Sequence, residues 1–189
     1  MRIENEQERD NDASRRLDPG TRELEPSHRM AVLGSLVATL VVFDQATKAI
    51  VRATLPLYDS VTVIPGFLSL THVRNTGAAF GFLSGVEFPF KAAVMTLIAL
   101  VALVAIILYG MKATTHQPVA QIGLALVVGG AVGNLIDRVT AGHVVDFVDV
   151  YWRGWHFWAF NAADAGISIG AALLIIDMIR VDRHVSTTA

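Results

Sequence analysis

Four long apolar stretches alternate with polar connections along this chain of 189 residues. They run from Met30 to about Val51, from Phe90 to Tyr109, from Val119 to Val139 and from Asn161 to Ile179. Each is close to the roughly 20 helical residues that cross a hydrocarbon layer about 30 Å thick. The pattern therefore predicts a membrane protein with four transmembrane helices, and the mean hydropathy of +0.49 agrees with that class.

The two longer connections carry different patterns. Apolar and polar residues alternate over residues 60–64 and 67–73, with Pro65-Gly66 between them, which predicts a small half-buried β-sheet. The other connection is rich in aromatic residues, a density typical of the lipid headgroup level. These aromatic residues are Tyr151, Trp152, Trp155, Phe157, Trp158 and Phe160. The expected fold class is an all-α membrane protein with a small β element in a β-rich loop.

Charge divides the chain into a polar head, a membrane domain and a tail. Residues 1–29 hold 8 of the 17 acidic and 6 of the 15 basic side chains and show no apolar period. Such a segment cannot bury enough surface to offset the entropy of ordering, so we expect a disordered cytoplasmic extension. Residues 30–180 then form the membrane domain, and residues 181–189 form a cytoplasmic tail.

Basic residues in the short connections set the expected orientation. Lys112 and His116 lie in the connection between the second and third spans, and Arg183 lies in the tail. Cytoplasmic loops carry an excess of positive charge, so both termini are expected in the cytoplasm. The bias is small, because the opposite loops also contain arginines. Connections 52–89 and 140–160 are then extracytoplasmic, as are the polar ends of three spans.

Several classes of chemistry are excluded by what the chain lacks. Without cysteine it has no thiol nucleophile and no thiolate zinc site. Its six histidines are scattered without a His-Glu-x-x-His zinc motif, and no Gly-x-Ser-x-Gly nucleophile elbow is present. A net charge of −2 without a basic cluster argues against nucleic acid as a partner. We therefore expect neither a metal nor a cofactor.

Carboxylates are the remaining candidates for chemistry. A charged group at the bilayer centre costs about 2.5–3.5 kcal/mol, so those kept near span ends need a compensating role or a wet location. Asp146 follows the third span and Asp164 opens the fourth. If they converge in a partly desolvated site, one keeps its proton, and the pair can perform aspartyl proteolysis. Alternatively, Asp146 is a solvated loop residue, and Asp164 stabilises a helix start three residues after the N-cap Asn161.

Other polar residues lie at the same membrane level. Asp44 and Lys48 are four residues apart on a helix, a spacing that predicts an ion pair. Asn134 and Arg138 share a helix face, either for an interhelical contact or to line a site. The small residues after Asn75 suit either a tight turn or a close approach by an extended substrate.

Five motifs in this order resemble those of the bacterial lipoprotein signal peptidases, also called signal peptidase II, over about residues 30–180. The motifs are Asp44-Gln45-x-Thr47-Lys48, Asn75-x-Gly77-Ala78-Ala79-Phe80, Gly133-Asn134-x-x-Asp137-Arg138, Val145-Asp146-Phe147 and Phe160-Asn161-x-Ala163-Asp164. The resemblance implies an aspartyl endopeptidase of the bacterial inner membrane. It would remove signal peptides from diacylglyceryl-modified prolipoproteins by cutting just before the lipidated cysteine.

The resemblance also implies roles for individual residues. The catalytic pair would be Asp146 and Asp164, whereas Asp137 is a carboxylate near Arg138 that the resemblance leaves outside the pair. Residues expected to support the site or hold substrate are Asp44, Lys48, Asn75, Gly77, Asn134, Arg138, Asn161 and Ala163. The expected partners are prolipoprotein signal peptides and membrane lipid. The chain would act as a monomer, with its active site near the extracytoplasmic face.

Two other functions remain open from the residues alone. A proton- or ion-coupled transporter would also place polar groups in spans, although it predicts at least one deep in a span, and here they lie toward the ends. A noncatalytic membrane scaffold would use the acids as caps and ion pairs. In a scaffold the effects of substituting Asp146 and Asp164 would be mild and additive.

Overall fold

The computed structural model describes residues 26–77, 86, 88–110 and 117–186. The predicted disordered extension lies outside the described residues as far as residue 25. Ala78, Ala79 and Phe80 of the second motif also lie outside them, as do Lys112 and His116 of the connection between the second and third spans.

Four helices form at the four predicted stretches. They are α1 (Pro26–Thr54), α2 (Lys91–Gly110), α3 (Pro118–Ala141) and α4 (Ala162–Ser186). All four are long and apolar enough to cross a membrane, which confirms the predicted fold class. The helix α1 begins four residues before the predicted start, and α4 continues into the predicted tail, because neither glycine nor proline interrupts residues 171–186.

The connections supply one antiparallel sheet in the order β1-β2-β3-β4. Its strands are β1 (Ser60–Ile64), β2 (Leu68–Asn75), β3 (Val144–Trp152) and β4 (Trp155–His156). The hairpin of β1 and β2 confirms the predicted alternation. The sequence pattern did not predict β3 and β4. An inner strand that contacts neighbours on both sides carries a nearly continuous apolar run, and Val144–Phe147 is buried throughout.

Glycines let α3 approach two other helices closely. A side chain at Gly130 would collide with the carbonyl oxygen of Ala163 on α4. A Cβ atom at Gly133 would lie 2.7 Å from Oδ2 of Asp44 on α1. The small residues therefore let α1 and α4 approach one stretch of α3 closely, as expected for small-residue packing in membranes.

Candidate active site

Asp146 and Asp164 line one cavity of about 600 Å³. Asp146 is the third residue of β3, and Asp164 lies in the first turn of α4. The expectation that Asp146 lies in a loop is wrong, because the segment pairs with β2 and is a strand. The strand holds the Asp146 backbone in a ladder, where Asp146 pairs with Val73. Two acids 18 positions apart in sequence thus face the same space.

Two amide side chains hold the carboxylate of Asp146. Asn161 donates from Nδ2 to Oδ1 at 2.7 Å, and Asn75 donates from Nδ2 to Oδ2 at 3.0 Å. Each carboxylate oxygen therefore accepts one hydrogen bond from a neutral donor. Among the described residues, no lysine or arginine forms an ion pair with Asp146.

The carboxylate of Asp164 has a similar pair of donors. Asn134 donates from Nδ2 to Oδ1 at 2.8 Å, and the backbone N–H of Asn161 lies 3.3 Å from Oδ2. In return, Oδ1 of Asn161 accepts the backbone N–H of Asp164 at 2.9 Å. This reciprocal arrangement caps α4 and confirms the predicted N-cap role of Asn161.

Asn134 connects Asp164 to a buried lysine. Its Oδ1 accepts from Nζ of Lys48 at 2.9 Å and from Nδ2 of Asn161 at 3.2 Å. Because an ammonium group only donates, the oxygen of the Asn134 amide must face Lys48, and its NH₂ must face Asp164. Lys48 therefore fixes the orientation of the amide that holds Asp164 without contacting the carboxylate itself.

Lys48 belongs to a second group of acids and bases, which we call the ion cluster: Asp44, Lys48, Arg52 and Asp137. Nζ of Lys48 lies 2.7 Å from Oδ2 of Asp44, which confirms the predicted ion pair. The same nitrogen lies 3.0 Å from Oδ2 of Asp137, and Nη1 of Arg52 lies 3.5 Å from Oδ1 of Asp137. Two anions face two cations, so the cluster is electrically balanced.

The ion cluster also holds backbone from other elements. Oδ1 of Asp44 accepts the N–H of Ala163 at 3.0 Å, and Oδ2 of Asp137 accepts the N–H of Val145 at 3.2 Å. These bonds fix the residue before each cavity acid. The sequence reasoning did not identify Arg52 as part of this group; its spacing of four from Lys48 and eight from Asp44 was the available signal.

Arg138 tethers the segment after β2. Its Nη2 donates to the carbonyl oxygen of Gly77 at 2.8 Å, and the N–H of Gly77 donates to Oδ1 of Asn75 at 2.9 Å. Asn75 in turn holds Asp146. All the site residues named from the sequence are thus connected through one set of contacts.

The remaining walls of the cavity are mostly apolar. They come from α2, α3, α4 and the segment before α4, and they include Met95, Ile98, Ala102, Ile106, Val127, Phe157, Trp158 and Ile167. Sequence reasoning missed the contribution of α2. A helix that is apolar on every side gives no periodic signal to show which face lines a cavity.

Burial and charge change the protonation of Asp146. Its side chain is almost fully buried, and the negative charge of Asp164 adds to the cost of ionising it. These two causes raise the pKa of Asp146 to about 7, although the hydrogen bonds from Asn75 and Asn161 oppose the rise. The described residues contain no group of three or more acids, histidines or cysteines placed to hold a metal ion.

Comparison with known proteins identifies the family of this chain. A family model described as signal peptidase (SPase) II matches residues 36–180. The chain belongs to the signal peptidase II family. The match covers three quarters of the chain and contains all five motifs, so the resemblance stated from the residues is confirmed.

Curated relatives and solved structures of similar size agree. The chain is 46% identical over 163 residues to a lipoprotein signal peptidase of Geobacter metallireducens, covering 86% of this chain and 98% of the relative. A lipoprotein signal peptidase of Nitratidesulfovibrio vulgaris is 46% identical over 151 residues, which are 79% of this chain and 89% of the relative.

Two solved bacterial membrane enzymes, both determined by the in meso method, have the same fold. One aligns with a TM-score of 0.71 and 38% identity over 79% of this chain and 88% of its own. The other has a TM-score of 0.70 and 34% identity over 78% of this chain and 92% of its own. This member of a peptidase family is therefore a multi-pass bacterial membrane protein.

Proposed function

We propose that this chain is an aspartyl endopeptidase that removes signal peptides from diacylglyceryl-modified prolipoproteins. It cuts just before the lipidated cysteine, and Asp146 and Asp164 form its catalytic pair. One observation carries this proposal: these two acids share a cavity and contact only amide donors among the described residues. The other buried acids near the site, Asp44 and Asp137, form ion pairs with Lys48 in the ion cluster.

The proposed reaction needs one proton on the pair. The charged carboxylate takes a proton from water while the water oxygen attacks the peptide carbonyl carbon. The neutral carboxyl donates its proton to the carbonyl oxygen as the tetrahedral intermediate forms. The C–N bond then breaks as the leaving nitrogen receives the proton taken from water, and the proton on the intermediate returns to the pair. The pair ends with the one proton it had at the start.

The surroundings support a division of these roles. Asp164 lies at the N-terminus of α4, where the helix dipole and a backbone N–H favour the charged form. The raised pKa of Asp146 favours the neutral form at neutral pH. We therefore assign the shared proton to Asp146 and the role of general base to Asp164.

The supporting residues fall into two groups by what they contact. Asn75, Asn134 and Asn161 orient the carboxylates directly. Asp44 and Lys48 hold Ala163 and Asn134, and Arg138 holds Gly77. In this arrangement Arg138 and Gly77 keep the backbone after β2 close to the cavity, where an extended signal peptide can be held.

The substrate fits the nature of the cavity. Its walls on α2, α3 and α4 are apolar, while its acids lie at the span ends. A cysteine anchored by acyl chains presents its preceding peptide bond near the membrane boundary. We place that boundary at the extracytoplasmic face, with both termini in the cytoplasm, and we propose that the enzyme acts as a monomer in lipid.

A reconstituted cleavage assay tests the function. The full chain in phospholipid vesicles is incubated with a diacylglyceryl-modified proprotein, and the products are identified by mass. We expect one cut immediately before the lipidated cysteine. The same proprotein without the lipid is the matched control and should remain uncut. A cut elsewhere, or equal cleavage of both substrates, would contradict the proposed specificity.

A further inference from the structure

One polar side chain in the cavity wall is not hydrogen-bonded to the acids or to their partners. Ser168 lies on α4 and lines the cavity together with Asp164. The two residues are four positions apart, so they share a face of the helix, with Ser168 about 6 Å further along its axis. Because α4 begins beside the acids and continues as a span, Ser168 lies one helical turn deeper in the membrane than Asp164.

The hydroxyl group of Ser168 forms no hydrogen bond with the residues that the structure describes. A serine or threonine in a helix commonly donates to the carbonyl oxygen one turn earlier. The threonines that have this bond, at 2.7–2.9 Å, are Thr47, Thr54, Thr96 and Thr140. Ser168 differs from them because it is exposed and lines the cavity. A hydroxyl group away from water is costly unless it is paired, so we expect the occupant of the cavity to supply an acceptor.

Ser168 lies where the cavity wall changes from polar to apolar. The acids and Asn134 occupy one end of the cavity, while Val127, Ile167 and Ile169 surround the level of Ser168. Val127 lies beside the next turn of α4, because a Cβ atom at Gly170 would be 2.8 Å from its Cγ2. An occupant that fits this position has an acceptor oxygen next to a long apolar body. A fatty-acid ester has that composition.

A diacylglyceryl-modified cysteine presents such esters at a matching distance. Each of its two esters has one carbonyl oxygen, and the apolar chain follows directly. Seven covalent bonds join the nitrogen of the scissile peptide to the carbonyl carbon of the nearer ester, a reach of up to about 9 Å. With the scissile bond beside Asp164, this reach spans the turn of α4 that separates Asp164 from Ser168.

We propose that Ser168 donates a hydrogen bond to an ester carbonyl oxygen of the substrate lipid and thereby determines a preference for ester-linked over ether-linked lipid. This inference rests on the proposed function and deepens it, because it assigns a residue to the recognition of the diacylglyceryl group. The bond is remote from the reacting atoms and forms in the bound substrate. It should therefore lower KM and leave kcat unchanged.

Two lipopeptides of one sequence test the proposal. The first carries two acyl chains in ester linkage on the glyceryl group. The second carries alkyl chains of the same length in ether linkage and so lacks the carbonyl oxygens. The full-length parent and its variants are reconstituted in phosphatidylcholine vesicles, and kcat and KM are measured for both substrates. Ser168→Ala removes the donor, and Thr96→Ala is the matched control, because its hydroxyl donates to Ala92 and lies outside the cavity wall.

We expect the KM of the parent to be about 3–10-fold higher for the ether substrate than for the ester substrate, the value of one neutral hydrogen bond. Ser168→Ala should raise KM for the ester by the same factor and leave KM for the ether unchanged. Thr96→Ala should keep the values of the parent.

Equal KM values for the two substrates in the parent would overturn the proposal, and this comparison needs no folded variant. A preference that persists in Ser168→Ala would also overturn it. So would an equal rise in KM for both substrates, because Ser168 would then bind a group that they share, such as a signal-peptide carbonyl. Cleavage of neither substrate by the parent would instead contradict the proposed function, and this inference with it.

Discussion

The ion cluster and the two cavity acids, Asp146 and Asp164, which we call the cavity pair, surround aspartate side chains with different partners. Asp44 and Asp137 are buried against Lys48 and Arg52, and their charges are balanced. Asp146 and Asp164 are held by asparagine side chains and a backbone N–H, with no described cation bound to either. The charges of the first pair are balanced by contacts that also hold the backbone of α4 and β3. The second pair has no such balance, and we propose that this pair performs the chemistry.

This difference shows how one membrane protein can hold four acids close together. Removing one partner of a buried ion pair leaves an unpaired charge and costs about 3–5 kcal/mol. An acid such as Asp146, whose pKa is raised to about 7 and whose donors are neutral, is instead suited to proton transfer. The neighbouring side chains therefore distinguish the acids of the ion cluster from the proposed catalytic acids, although all four are aspartates.

The largest expected effect comes from removing either acid of the cavity pair. Asp146→Asn or Asp164→Asn should lower the rate of lipoprotein cleavage in vesicles by about 10³–10⁴-fold, because the first removes the proposed acid and the second removes the proposed base. The double variant should be nearly as inactive as each single variant. Asp177→Asn on α4, outside the cavity, is the matched control and should keep full activity.

Additive losses would contradict a pair that acts as a unit and would favour the scaffold interpretation. Full turnover by either single variant would contradict the assigned chemistry.

Substitutions in the ion cluster should lower the stability of the protein. Asp137→Asn leaves Lys48 and Arg52 with one carboxylate fewer, and we expect it to lower the free energy of unfolding by about 3–5 kcal/mol. Thermal unfolding in detergent measures the change. Asp59→Asn, on the exposed loop before β1, should be neutral by comparison. A drop of less than 1 kcal/mol for Asp137→Asn would show that the cluster is not structural.

A smaller effect of the opposite sign is expected at the cavity pair. The pKa of Asp146 is about 7 when folded and near 3.8 in its ordinary state, so the folded protein binds the proton more tightly. Stability therefore falls as the pH rises from about 4 to about 7. Asp146→Asn removes that cost and should be about 2 kcal/mol more stable than the parent at pH 8, after the loss of one hydrogen-bond acceptor.

The gain should lose most of its value at pH 4, where Asp146 is protonated in the folded state and about 40% protonated in the unfolded state. Thermal unfolding at both pH values provides the measurement. An equal difference at pH 4 and pH 8 would contradict the raised pKa.

The smallest expected effect is a shift in the pH profile. Asn75 donates to the charged form of Asp146 and lowers its pKa, so Asn75→Ala should raise that pKa further. If Asp146 must be protonated, kcat/KM of the parent falls as the pH rises through about 7. In Asn75→Ala this fall should move to higher pH by up to about one unit. Arg74→Ala, on the exposed neighbour, should leave the midpoint unchanged, and a shift to lower pH would refute the assignment.

The sequence predicted some elements of the fold and of the site but not others. The four spans, the first hairpin and the Asp44–Lys48 pair follow from local periodicity, because a span, a strand alternation and an i, i+4 pair are each visible within one segment. The strand β3 was not predicted. Its partner β2 lies about 70 positions earlier, and its buried start reads as a short apolar run that fits several structures.

The site shows the same division. Asp146 and Asp164 were identified as candidates, but the hydrogen bonds that distinguish them from Asp137 depend on four separate elements. Nothing local shows that the amide oxygen of Asn134 faces Lys48, or that Asp137 holds the backbone of Val145. Such contacts arise from packing between helices, and the featureless apolar pattern of α2 hid its part in the cavity wall altogether.

The bond between Asp44 and the N–H of Ala163 has a consequence for biogenesis. The two residues are 119 positions apart, so α1 supplies a contact to α4, a helix that is synthesised much later. During synthesis Asp44 is therefore present long before the N–H of Ala163 that donates to it. Under the proposed function, cleavage is therefore expected only after α4 has been inserted, because that helix also carries Asp164.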